Sequence, residues 1–282
     1  MRGVVPWSVG LFALAALAPH AAGHYHILLP DKPTANREEA VTFSYFFGHP
    51  FEHQLFAAQR PAAVTVITPD GRQAEQLTRL ERVEVPGADG KKVAAYRWKY
   101  TPAQRGDHVV VARCEAVWMA EEQEFLQDIV KVVLHVQTQN GWDNALGSGL
   151  ELVPLTRPYG LRAGTVFQAQ VLGSPSLRPD GPVTTTPLSD KTQQPLPRTL
   201  VEVERYNPAP PQALPPDEHI TRTVKTDPNG VATVSLPEPG WWALTAVCDG
   251  GTRERDGKRY PVKVRSTLWV YVDAAVPLAP AK

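Results

Sequence analysis

Hydrophobic positions along this chain fall in short alternating runs rather than in helical stripes. Val41, Phe43 and Tyr45 alternate with Thr42 and Ser44, the period-two pattern of a strand with one buried face. His26–Leu29, Ala63–Ile67, Val93–Tyr100 and Asp107–Cys114 are further short runs, and Pro69-Asp70-Gly71 closes one of them as a turn. Ile129–Val136 is strongly apolar and predicts a central strand. Between the last two runs, residues 116–127 carry acidic and helix-favouring side chains, which predicts a short helix or an excursion linking two strands. About seven such runs over residues 24–145 suit an immunoglobulin-like sandwich.

The pattern breaks at Gln139-Asn140-Gly141, with more glycine at 147 and 149, and a linker is expected at about residues 140–160. Strand runs resume at Thr165–Leu172, Leu200–Tyr206, Thr221–Thr226, Val231–Leu236, Trp241–Val247 and Ser266–Val272. Asp227-Pro228-Asn229-Gly230 is a hairpin signal between two of them. Residues 173–198 and Pro208–Pro216 are proline-rich and predict loops, and the tail from Ala274 predicts disorder. The expected fold is therefore all-β, with two β-sandwich domains at 24–145 and 155–273.

Composition supports this and adds a compartment. The chain holds 28 prolines, which suit turns and sheet edges and are excluded from helix interiors. Its 43% hydrophobic and 21% charged residues are those of a folded protein rather than a disordered one. Net charge is zero and no block of like charge stands out, so a nucleic-acid partner has no electrostatic footprint. Residues 1–23 read as a cleavable export signal. Arg2 is followed by the apolar core Leu11–Ala18, a break at Pro19-His20, and small residues at Ala21 and Gly23 that place the cut after Gly23. The apolar run is short for a membrane span, and a periplasmic or secreted chain beginning at His24 is expected. Cys114 and Cys248 lie far apart and outside any C-x-x-C context. One interdomain disulfide and two buried free thiols both fit.

Candidate chemistry centres on histidine. His24, His26, His49 and His53 fall within thirty residues. A cut after Gly23 would free an α-amine of pKa about 7.7–8 on His24, with His26 at mature position three. Amine, two backbone amides and the His26 imidazole form a square-planar nitrogen set suited to Cu(II) or Ni(II). Alternatively, the amine and imidazole of His24 form a two-nitrogen brace completed by another histidine. Gly48-His49-Pro50-Phe51-Glu52-His53 supplies the second pair, expected close together if Pro50 starts a helical turn. On one reading His24, His26 and His49 bind the ion and His53 supports them; on another all four bind it. His108 reads as a strand cap, His135 as a satisfied core or edge histidine, and His219 as a solvent-exposed loop residue. Glu121, Glu122 and Glu124 read as a solvated face, and Trp241-Trp242 as packing rather than a sugar platform. No G-x-S-x-G, P-loop, G-x-G-x-x-G or H-E-x-x-H occurs.

These features resemble a family of periplasmic components associated with nickel/cobalt uptake transporters of the energy-coupling-factor type, largely described as a domain of unknown function. The resemblance is carried by His24-Tyr25-His26, by Phe47–His53, by Lys131–Val136 with Gly141-Trp142-Asp143, by Glu151–Pro154 with Arg157–Gly164, and by Thr226–Gly230 with Pro239–Trp242. The last of these is shared with transthyretin-like and carboxypeptidase-regulatory-like modules. The resemblance implies two β-sandwich domains, the second of that type, and a binding rather than catalytic role. The protein would capture or deliver Ni²⁺ or Co²⁺ for a membrane transporter, through His24, His26, His49 and His53. Two other expectations stand beside it: a copper-binding protein or histidine-brace copper oxygenase, and a metal-free sandwich that recognises a protein or glycan.

Overall fold

The computed structural model describes residues 23–147, 149–174 and 192–274. The expected export signal, except Gly23, lies outside the described residues, as do most of the 173–198 loop and the tail beyond Ala274.

The fold is all-β, as its pattern of alternating runs predicts. The first half contains β1 (Tyr25–Pro30), β2 (Thr34–Ala35), β3 (Val41–His49), β4 (Gln54–Phe56), β5 (Ala63–Ile67), β6 (Gln73–Glu75), β7 (Glu81–Pro86), β8 (Lys92–Tyr100), β9 (Gly106–Arg113), β10 (Val117–Met119) and β11 (Glu124–Val136). The second half contains β12 (Leu150–Pro154), β13 (Leu161–Arg162), β14 (Thr165–Gly173), β15 (Gln194–Pro195), β16 (Leu200–Arg205), β17 (Arg222–Lys225), β18 (Val231–Leu236), β19 (Gly240–Arg255) and β20 (Lys258–Asp273).

Three sheets make the two sandwiches. One has the order β1-β3-β8-β7, with β4 also on β3; another has β12-β14-β15, with β18 on β14. The third runs through both halves as β17-β16-β19-β20-β11-β9-β5-β6. Its centre is β11, which changes partner along its length. Phe125–Val132 pairs in parallel with Val262–Trp269 of β20, and Val133–Val136 pairs antiparallel with Gly106–Val109 of β9. The apolar run Ile129–Val136 therefore lies at the middle of the largest sheet. A core of Ile27, Phe43, Val64, Trp98 and Leu134 fills the first sandwich, and one of Leu152, Phe167, Val201, Leu244 and Leu268 fills the second. Trp269 comes from β20 yet is fully buried in the first core, where its Nε1 donates to the His26 carbonyl at 3.3 Å.

Two expectations need correction. Residues 116–127 form neither a helix nor a loose excursion but the hairpin β10–β11, in register from Val117↔Leu126 to Met119↔Glu124. The strands expected at Trp241–Val247 and Ser266–Val272 are parts of two sixteen-residue strands. The charged stretch Arg253–Arg259 hides their outer ends, yet Asp256-Gly257, both at positive φ (51° and 74°), is the two-residue turn that joins them. The charges are accommodated by aromatic faces: Arg253 lies 5.2 Å from the Phe125 ring and Arg255 5.0 Å from that of Trp118. Of the two alternatives left open for the cysteines, the structure has the free thiols, with Cys114 buried and Cys248 half-buried.

Other motifs have structural roles. His135 is bonded at 2.8 Å to the buried Asp107 and stacked 4.1 Å from Tyr159 of the Arg157–Gly164 segment. His108 is buried between the Tyr100 hydroxyl and the Gln104 carbonyl, a core role rather than a cap. Trp242 is buried in the second core, and Trp241 packs 5.0 Å from Tyr271. His219 is exposed.

Truncating Trp269 to alanine is expected to cost about 3–5 kcal/mol. Because β20 belongs to both sandwiches, calorimetry of the variant should show both halves melting in one transition at a lower temperature.

Candidate metal centre

The local fold brings the ends of β1 and β3 together. Antiparallel pairing sets Tyr25, the first residue of β1, opposite Gly48. His24 just before β1 therefore lies beside His49 at the end of β3. Gly48 also pairs with Leu55 of β4, and a Cβ there would lie 2.0 Å from the Gln54 carbonyl oxygen. Only glycine lets the hairpin close so tightly. The link from β3 to β4 is thus a hairpin turn, not the helical turn expected after Pro50, and His53 stands at its end with φ 53°.

His24 and His49 form the heart of an open cleft of about 250 Å³. Their ring centroids are 4.4 Å apart, and the rings pack against Phe47 and Phe56. Carboxylates rim it: Glu122 Oε1 lies 3.9 Å from His24 Nδ1, and Glu52 Oε2 lies 3.6 Å from His49 Nδ1. Glu121 also lines the cleft, so the acidic run expected to be a solvated face helps to form the site. Burial, with the neighbouring His49 and Arg265 adding to it, lowers the His24 pKa to about 4. The ring is neutral at pH 7, and its Nδ1 is buried without a hydrogen-bond partner. A neutral imidazole is the form of histidine that can ligate a metal ion.

The second sandwich supplies the back wall. Glu204 on β16 accepts from the Phe51 amide at 3.1 Å and from the Thr221 hydroxyl at 2.5 Å. Burial raises its pKa to about 7. Asn207 ties the same turn, donating from its backbone amide to the Pro50 carbonyl at 3.0 Å and from its side chain to the Phe51 carbonyl at 2.5 Å.

The four predicted histidines do not converge. His26 is 2% exposed, with Nδ1 2.6 Å from the Tyr45 hydroxyl and Nε2 3.8 Å from Asp128. Burial lowers its pKa to about 4 as well. Its neighbour Tyr45 continues to the Cys114 thiol at 3.0 Å. His53 donates from Nδ1 to the Asn207 carbonyl at 2.8 Å and helps to fasten the turn. Beneath His24 lies a buried ion pair that sequence reading missed: Arg265 donates to Asp128 at 2.7 and 2.6 Å, and to the His24 carbonyl at 2.6 Å. The available signal was the placing of Asp128 and Arg265 inside strands whose neighbouring positions are largely apolar.

Among the described residues no three His, Cys, Asp or Glu side chains form a metal cage. A chelate wrapped through the first three residues fits poorly, because Tyr25 and His26 are committed to the β1–β3 ladder and the His26 ring to Tyr45. A brace fits better. His24 and His49 offer two imidazoles, and the chain just ahead of His24 borders the cleft, where a Cβ on Gly23 would lie 3.3 Å from His49 Nδ1.

The fold and this cleft define an all-β, two-sandwich protein with a histidine pair at the joint of its halves. The chain belongs to the family described as "Domain of unknown function (DUF4198)", whose model matches residues 21–250. No curated protein matches it in sequence. Among solved structures it is similar to a DUF4785 family protein from Legionella pneumophila, with 8% identity, 80% of this chain and 53% of that one covered, and a TM-score of 0.30. It is also similar to a mutant alpha-2-macroglobulin from Salmonella (14%, 88% and 15%, TM-score 0.24) and to Escherichia coli alpha-2-macroglobulin activated by porcine elastase (15%, 89% and 20%, TM-score 0.23). The chain thus spans about half the length of the first and a fifth or less of the other two. Among the described residues no helix is long and apolar enough to cross a membrane.

The raised pKa of Glu204 gives a signed expectation. A carboxyl that holds its proton longer when folded costs stability as pH rises from its ordinary value of 4.5 through about 7. In metal-free protein, Glu204→Gln should therefore match wild type near pH 4.5 and become progressively more stable than it up to pH 7.5. Urea unfolding at each pH measures the difference. A variant that loses stability relative to wild type over that range would contradict the assignment.

Proposed function

We propose that this protein is exported, that cleavage after Gly23 leaves His24 as its first residue, and that the new terminus binds a divalent transition-metal ion together with His49. The observation that carries the reading is the His24–His49 pair: two imidazoles with centroids 4.4 Å apart, one with a buried, unbonded Nδ1. The His24 amine and imidazole and the His49 imidazole make a nitrogen donor set for a borderline ion. The rim carboxylates Glu52, Glu121 and Glu122 supply a negative potential that draws a cation toward it.

The cargo we propose is Ni²⁺ or Co²⁺, captured in the periplasm and passed to a membrane uptake transporter. This assignment rests on the family resemblance in His24–His26 and Phe47–His53. The protein would then be a carrier, with the ion as its substrate and no bond made or broken. A second reading is favoured by one observation. His26 and His53 are occupied elsewhere, so an amine and two imidazoles remain, a set that suits Cu(II) and leaves coordination positions open. The role is then copper binding, or copper oxygenase chemistry of the histidine-brace kind.

Calorimetric titration of the mature protein with Ni²⁺, Co²⁺ and Cu²⁺ tests the site. His24→Ala and His49→Ala should each weaken binding by at least about tenfold, whereas His53→Ala should leave it within about twofold of wild type. Affinity should fall as pH drops, because the imidazoles bind only when neutral. Unchanged affinity in both His24→Ala and His49→Ala would overturn the site. A protein that takes up no metal and gains no melting temperature from it would instead be the metal-free recognition module.

A further inference from the structure

We infer that Arg265 is the positioning residue of this centre: its guanidinium grips the carbonyl oxygen of His24 and so fixes where the terminal amine and imidazole stand. The inference rests on the reading that His24 becomes the first residue of the mature chain.

Arg265 is 3% exposed and its partner Asp128 1%. They face one another in the parallel β11–β20 ladder. Nε and Nη2 donate to the two carboxylate oxygens at 2.7 and 2.6 Å, and Nη2 also reaches the His24 carbonyl at 2.6 Å. The guanidinium carbon lies 5.4 Å from the centroid of the Tyr25 ring, whose hydroxyl donates to Glu202 at 2.9 Å. The cation is therefore clamped from the side by Asp128 and from one face by Tyr25, and its remaining reach is toward the chain terminus.

Stability alone does not account for this arrangement. A buried ion pair can often be replaced by apolar residues with no loss, because desolvating both charges offsets their attraction. What the pair adds is a rigid donor aimed at one backbone carbonyl. The first residues of a chain fray unless something ties them down, and a metal-binding set works only when held to within about 0.5 Å. The β1 ladder begins at Tyr25, so His24 lies outside it, and the Arg265 bond holds the His24–Tyr25 peptide. The guanidinium fork suits the task, since a lysine ammonium is a point charge on a flexible stem and lacks the planar geometry that engages both carboxylate oxygens.

The test needs no metal in its first arm. Mature protein beginning at His24 is stripped of metal and incubated with an aminopeptidase, and loss of His24 is followed by mass spectrometry. Arg265→Lys keeps the charge but loses the fork. The double variant Asp128→Asn with Arg265→Gln removes both charges together and strands neither. Circular dichroism identifies the folded variants. His24 should be lost about tenfold faster from them than from wild type, and their Ni²⁺ affinity should fall by at least about tenfold. Loss of His24 at the wild-type rate from the folded Arg265 variants overturns the inference. Faster loss from them, combined with Ni²⁺ affinity that is insensitive to His49→Ala, upholds the anchor and overturns the metal reading alone.

Discussion

The site depends on β11 lying parallel to β20. That ladder joins the two sandwiches into one sheet, sets Asp128 opposite Arg265, and carries Trp269 across into the first core. Parallel strands need a long connection between them, and here the connection is the whole second sandwich up to β20. The chain's last described strand thus returns to meet its first, and Arg265 bonds the carbonyl of His24 241 positions away in sequence. Burying that ion pair is costly unless its geometry is good. Two short bonds to the carboxylate and one to the backbone meet that condition.

Each half contributes what the other lacks. The first sandwich presents the histidines: β1 and β3 set His24 beside His49, and Gly48 lets the following turn close. The second sandwich holds that turn through Glu204 and Asn207 on and after β16, and lines the cleft with Thr221. A cleft at a joint between folding units is where small ligands commonly bind. Because the joint is a continuous sheet, the two walls are held in register by strand pairing rather than by a hinge.

Much of this was legible in the sequence, and the failures have physical causes. Alternation in Val41–Tyr45 and the apolar run Ile129–Val136 identified strands correctly, since one buried face or two leave a direct mark on side-chain type. The outer halves of β19 and β20 were hidden because Arg253, Arg255 and their neighbours are charged, although the Asp256-Gly257 turn was there to be read. The histidine cluster drew attention to the ends of β1 and β3, but its four members do not lie together. Spacing placed His49 beside His53, whereas the tight hairpin at Gly48 turned His53 toward Asn207 and left His49 with His24. Likewise the spacing of His24 and His26 is silent on Tyr45, which claims the His26 ring. Asp128, Glu204 and Arg265 went unread because their meaning is set by contacts from the other half of the chain, and no local pattern reports those.

The central claim is that proteolytic maturation makes the metal centre. The most direct measurement is intact native mass spectrometry of the protein recovered from the compartment to which it is exported, in wild-type form and as His49→Ala. The account expects a wild-type chain whose mass begins at His24 and which carries one divalent transition-metal ion, and a His49→Ala chain of the same start without it. A chain that begins at any other residue, or a metal retained equally by both proteins, would contradict it.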